Sequence, residues 1–137
     1  PQTARNRALR AIAPSQAVMI SGDIHLGTLH QHGIENWGDG PWGFSLPAFS
    51  SKQNRTWGPS VPAKGREIAG IPGSGNHHDR FGNKMTVAGT AHGVNGYGIL
   101  VFDKTTRMIT MELHTMDQNR EPSRKSVPGW PRTLQIK

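Results

Sequence analysis

The chain has 137 residues, 34% of them hydrophobic, with 16 Lys and Arg against 9 Asp and Glu and no cysteine. That length suits one domain with a modest core, and the missing thiols exclude disulfides, thiolate metal sites and cysteine nucleophiles. No run is long and apolar enough for a transmembrane helix, and no signal peptide is present. The formal charge of +7 favours anionic partners, yet the cations are dispersed. The densest groups are Arg5, Arg7 and Arg10, and then Arg120, Arg124 and Lys125. Aromatic residues do not alternate with them as a base-stacking platform requires, which argues against a dedicated nucleic-acid-binding module.

Taken in chain order, Arg5 to Ala13 reads as helical, with Ala8, Leu9 and Ile12 on one face and Pro14 as the stop. Because the chain opens without a Met, at Pro1 on what looks like the middle of a helix, it is expected to be part of a longer protein. Residues 16 to 21 read as a buried strand. Leu26 to His32 is expected to be a short helix or turn, and Gly33 to Gly43 a Gly- and Trp-rich loop. Phe44 to Ser51 is a short apolar piece broken by Pro47. Residues 52–82 carry Pro59, Pro62, Pro72 and a scatter of glycines, and are expected to be an irregular loop excursion.

A strand is expected at Lys84 to Ala88. Tyr97 to Asp103 and Met108 to Thr115 then alternate at period two around Lys104 to Arg107, the clearest hairpin in the chain. Residues 117–137 are expected to form a polar, extended tail anchored by Trp130. There is no internal repeat.

The chemistry concentrates in Ala17-Val18-Met19-Ile20-Ser21-Gly22-Asp23-Ile24-His25. An apolar strand running into Ser-Gly-Asp-x-His presents a carboxylate and an imidazole from one tight turn. In open α/β sheets, chemistry collects at the carboxyl ends of strands. Asp and His so spaced can face one cation, and Gly22 suits a sharp bend or a close approach of backbone to ligand. An Asp that caps a helix beside a solvent-facing His is the competing reading.

Five stretches in order resemble the C-terminal part of alkaline phosphatase D-like (PhoD-type) enzymes, a branch of the calcineurin-like metallophosphoesterases. Ser21-Gly22-Asp23-Ile24-His25 is similar to that family's final metal-site motif. Phe44-Ser45-Leu46-Pro47-Ala48 is similar to the piece that follows it. Asp79-Arg80-Phe81-Gly82-Asn83-Lys84-Met85-Thr86-Val87 resembles the segment leading into the next strand. Asn95-Gly96-Tyr97-Gly98 resembles the start of the terminal hairpin, and Pro128-Gly129-Trp130-Pro131 the closing motif. Together they cover nearly the whole chain.

The resemblance implies an α/β fold: part of a four-layer α/β/β/α sandwich, a mixed sheet followed by a C-terminal antiparallel hairpin, with residues 1–137 the C-terminal portion of the catalytic domain. It implies metal-dependent hydrolysis of phosphate mono- or diesters at a multinuclear centre of divalent or trivalent ions. Asp23 and His25 are the implied metal ligands. The family's early motifs, which supply most of the ligands, have no match here, so the remainder of the parent domain is an expected partner and the isolated chain is expected to be inactive. The resemblance favours a secreted or periplasmic location. A nucleic-acid-binding module and a non-catalytic structural domain are the alternatives.

The other candidates are placed by their neighbours. His92 follows a strand in Thr90-Ala91-His92-Gly93 and is a candidate catalytic residue, a backbone-bonded loop histidine being the alternative. His30 and Arg80 are candidate substrate-binding residues, whereas His32 is expected on a solvated helix face and His114 facing solvent. Gly75-Asn76-His77-His78-Asp79 resembles the Gly-Asn-His-Asp signature of calcineurin-like enzymes. It lies after the Asp23 motif instead of before it, and no apolar strand runs into it. It is therefore expected to be a surface turn in which Asn and Asp brace the backbone, with the roles of Asn76, His77 and Asp79 left open. Arg55, Lys64 and Arg66 are expected near substrate phosphate.

Overall fold

The computed structural model describes residues 2–49, 74–91, 94–117, 119 and 121–136. The expectations for Arg55, Lys64, Arg66, His92 and most of the excursion lie outside them. The described chain is a mixture of helix and strand, dominated by strands: α1 (Gln2–Ile12), a 3-10 turn (Ala13–Ser15), β1 (Val18–Ser21), β2 (Gly27–His32), β3 (Trp42–Ser45), β4 (Gly75–His78), β5 (Lys84–Ala91), β6 (Gly96–Asp103), β7 (Met108–Met116), β8 (Pro122–Ser126) and β9 (Arg132–Gln135). No helix among the described residues is long and apolar enough to cross a membrane.

The strands form two sheets. Sheet A is mixed, in the order β1-β3-β2-β5-β4, with β1 parallel to β3 and the other pairings antiparallel. Sheet B is antiparallel, with β7 paired to β6 on one side and to β8 and β9 on the other. The expected hairpin is present as β6 and β7, in continuous register from Gly96↔Thr115 to Asp103↔Met108. Its period-two pattern sends Ile109, Met111 and Leu113 inward, where they meet Leu29, Phe44 and Ala91 of sheet A and Trp130 of the final segment. The sheets approach closely at two glycines: a Cβ on Gly27 would stand 2.4 Å from Leu113, and one on Gly98 2.4 Å from Leu46.

Several expectations are corrected. Leu26 to His32 is not helical; Gly27–His32 is the central strand β2, because Leu29 faces the core while His30 and His32 face the other side. Trp42 and Gly43, expected in a loop, open β3. Residues 75–78, expected in an irregular excursion, are β4, paired with β5 from Gly75↔Val87 to His78↔Lys84. The tail is not merely extended, since β8 and β9 both hydrogen-bond to β7; Trp130 anchors it as expected, buried at 8% exposure. His114 does not face solvent. It is buried beneath Tyr97, which stacks on its ring at 5.1 Å, with Nδ1 donating to the Ser123 carbonyl and Nε2 2.7 Å from Glu112.

Strand β1 is also corrected: it exists, but it is an edge. Met19 and Ile20 are exposed, as are Ile99, Val101 and Phe102 on the edge strand β6. Between these edges runs an apolar groove lined by Val18, Ile20, Phe102, Ile109 and Ile136. A continuous apolar run such as 17–20 is the signature of a strand covered on both faces, and here one side is open.

Candidate metal centre

The parallel pairing of β1 and β3 brings their carboxyl ends together. Ser21 and Ser45 are register partners, and the Ser21 hydroxyl donates to that of Ser45 at 2.9 Å. Beyond them, Leu46 N–H donates to the Ser21 carbonyl and Ile24 N–H to the Leu46 carbonyl. The turn carrying Asp23 and His25 is thereby sewn to the segment after β3. Two more segments reach this edge. Ala91, the last residue of β5, pairs with Gly27, two residues after His25, and Gly96 N–H donates to the Ala48 carbonyl. Four chain segments far apart in sequence thus converge where β1 and β3 end.

Asp23 and His25 both hold left-handed backbone, with φ of 57° and 62°. Asp and His tolerate this region better than most side chains, but it remains costly relative to glycine. Gly22, the residue the sequence suggested for the bend, is not at positive φ, and a Cβ there would meet nothing within 4 Å. The strain therefore falls on the two residues with ligand chemistry, the pattern found where a local conformation serves a site. Nε2 of His25 lies 3.7 Å from Oδ1 of Asp23; the imidazole is 18% exposed and the carboxylate 87%. Metal–nitrogen and metal–oxygen bonds of about 2.1 Å place adjacent ligand atoms about 3 Å apart, so a small side-chain rotation lets both reach one ion. The donor set fits a borderline or hard cation but is incomplete. Among the described residues no group of three or more His, Asp or Glu converges on a metal-sized space.

The remaining candidates are not gathered here. Arg80 sits in the turn before β5, at the opposite end of that strand from Ala91. Eight residues of strand, about 26 Å, separate the two ends, and the Arg80 guanidinium rests on the Phe81 ring at 4.7 Å. His30 lies further along β2, 9% exposed, with burial foremost pushing its pKa down to about 4. His32, expected on a solvated face, receives a hydrogen bond from Arg5. In the Gly75–His78 strand, Asn76 accepts from the Thr86 hydroxyl and His77 is fully buried, its Nε2 donating to the Ser74 carbonyl. Asp79 braces its own turn, accepting from Phe81 N–H, Asn83 N–H and Asn83 Nδ2. Those bonds hold its carboxyl below the usual range against the opposing effect of burial, which is the largest single influence.

No protein-family model, curated protein or solved structure matches this chain.

Proposed function

We propose that this chain carries the last metal-site motif of a metal-dependent phosphoester hydrolase of the PhoD-like kind, with Asp23 and His25 as metal ligands. The observation that carries the reading is the left-handed backbone at both residues, in a turn fastened to the carboxyl ends of two parallel strands. Asp23 and His25 would hold a divalent or trivalent ion, which would supply Lewis-acid polarisation of a phosphoryl oxygen and hydroxide from water at neutral pH. The chain's own contribution is to fix a carboxylate and an imidazole on one rim. Ser21 and Ser45 brace the rim, while Leu46 limits its movement.

The remaining ligands belong to the rest of the parent domain. That remainder docks against the open edges of β1 and β6 and covers Ile20, Val101 and Phe102, completing a four-layer α/β/β/α sandwich. Apolar residues on two neighbouring edges, with no Pro or inward charge to blunt β1, support this arrangement.

The test is Asp23→Ala and His25→Ala in the full-length parent, assayed for bound metal, phosphodiester hydrolysis and circular dichroism. Both variants keep the fold and lose metal and activity steeply. Full metal occupancy with unchanged activity overturns the assignment. A parent that binds no metal at all favours the non-catalytic alternative.

A further inference from the structure

Helix α1 meets sheet A along a polar seam. Arg5 donates from Nη1 to the Gly33 carbonyl at 3.1 Å and from Nη2 to Nδ1 of His32 at 3.3 Å. Gln2 donates to the Phe81 carbonyl, and Arg10 pairs with exposed Glu35. The helix buries only Leu9, and none of its residues belongs to the core cluster between the sheets.

A guanidinium has donors and no acceptor, so Nδ1 of His32 serves the seam only while it carries no proton. His30 stands behind it, edge-on to the His32 ring at 4.7 Å between centroids, with Nδ1 3.3 Å from the Thr28 hydroxyl. Gly43 makes room for the pair: a Cβ there would lie 2.9 Å from Nε2 of His30 and 3.4 Å from Nε2 of His32.

We propose that Arg5, His32 and His30 form a proton-operated latch, which holds α1 on sheet A near neutral pH and releases it on acidification while the two-sheet core stays folded. A proton on Nδ1 of His32 turns its acceptor into a donor facing a donor. A second proton on His30 places two imidazolium rings beside one guanidinium.

The charges facing the pair come from three elements. Arg5 lies on α1, the two histidines face each other on β2, and Asp79 sits in the turn between β4 and β5. Strand β3 offers Gly43, the register partner of His30, while Trp42 packs on the core side, and Lys84 of β5 is turned toward the Glu35 carbonyl and the Trp37 ring. Burial and then Arg5 hold the His32 pKa down, with Asp79 in partial opposition. Burial, His32 and Arg5 all act downward on His30.

Amide hydrogen exchange on the 137-residue chain at pH 7 and pH 4.5, corrected for intrinsic rates, tests the latch. Protection in α1 should fall at least tenfold relative to β7. His32→Gln keeps an acceptor for Arg5 and cannot charge, so it should shrink that differential severalfold. Nitrogen-15 shifts of the His32 ring in the unmodified chain should titrate in step with the α1 amides, a readout that does not depend on the variant folding. Parallel loss of protection in α1 and β7 overturns the proposal. So does an unchanged response in His32→Gln, or a His32 titration unlinked to α1.

Discussion

Nε2 of His25 lies 3.7 Å from Oδ1 of Asp23, and both residues hold backbone that glycine would adopt more readily. Side chain and backbone preference therefore oppose each other at this turn. Asp23→Gly relieves the left-handed strain while loosening the unfolded chain, so stability should change by less than about 1 kcal/mol in either direction. Metal affinity in the parent should nevertheless collapse. Denaturant unfolding combined with metal titration checks both, and a loss well beyond 1 kcal/mol would show that the Asp23 carboxylate props up the fold itself.

Two glycines should answer differently to the same methyl group. At Gly22 a Cβ meets nothing within 4 Å, and the backbone is not left-handed. Gly22→Ala should be neutral or stabilising by up to about 1 kcal/mol. At Gly96 a Cβ would stand 2.0 Å from the His114 carbonyl oxygen, a backbone atom that cannot swing aside. Gly96→Ala should cost roughly 1–3 kcal/mol by overpacking. Comparable midpoints for the two variants would contradict the β6–β7 spacing.

Phe44 is fully buried, and its ring centroid lies 5.5 Å from that of Trp130. This contact ties the C-terminal segment to sheet A. Phe44→Ala should destabilise by about 3–5 kcal/mol, enough to leave a domain of this size only marginally folded. Quenched or red-shifted Trp130 emission in a Trp130-only background should accompany the loss. Retention of native emission and midpoint would show that the pair carries little of the core.

His30 makes stability pH-dependent. Its folded pKa of about 4 lies below the unfolded value near 6.5, so the folded state resists taking up the proton that the unfolded chain accepts. The stability present above pH 6.5 is lost as pH falls from 6.5 toward 4, by on the order of 3 kcal/mol at the acid limit. His30→Leu, which cannot titrate, should flatten that part of the pH–stability curve. An acid limb as steep as that of the unmodified chain would assign the loss to other groups.

If Asp23 and His25 are metal ligands as proposed, two of them do not make a complete phosphoryl-transfer centre. The 137-residue chain alone should therefore show little or no turnover of bis-p-nitrophenyl phosphate, even with added divalent metal. Robust turnover abolished by chelator would place a full ligand set within these residues and displace the idea that another part of the parent supplies it.

Local pattern by itself determined α1, the strand before Asp23, β5 and the β6–β7 hairpin. In α1 and the hairpin, apolar residues recur at the period of the element, with Pro14 or the 104–107 turn marking an end; before Asp23 a continuous apolar run serves instead. The Ser-Gly-Asp-x-His turn was legible too, since a strand running into small residues, a carboxylate and an imidazole needs no distant partner to be recognised. Tertiary structure alone decided the rest. Residues 26–32 read as a short helix or turn, yet ladder pairing with β3 on one side and β5 on the other makes a strand of 27–32, with Leu29 on the core face and His30 and His32 on the face toward α1. His114 looked solvent-facing because it alternates with inward-facing Leu113; the Tyr97 ring stacked on it and the Ser123 carbonyl of β8, which accepts from its Nδ1, bury it only once the sheet is assembled. The run 17–20 announced two covered faces, but hydrophobicity is non-directional and cannot say what covers them. The fold leaves that edge open.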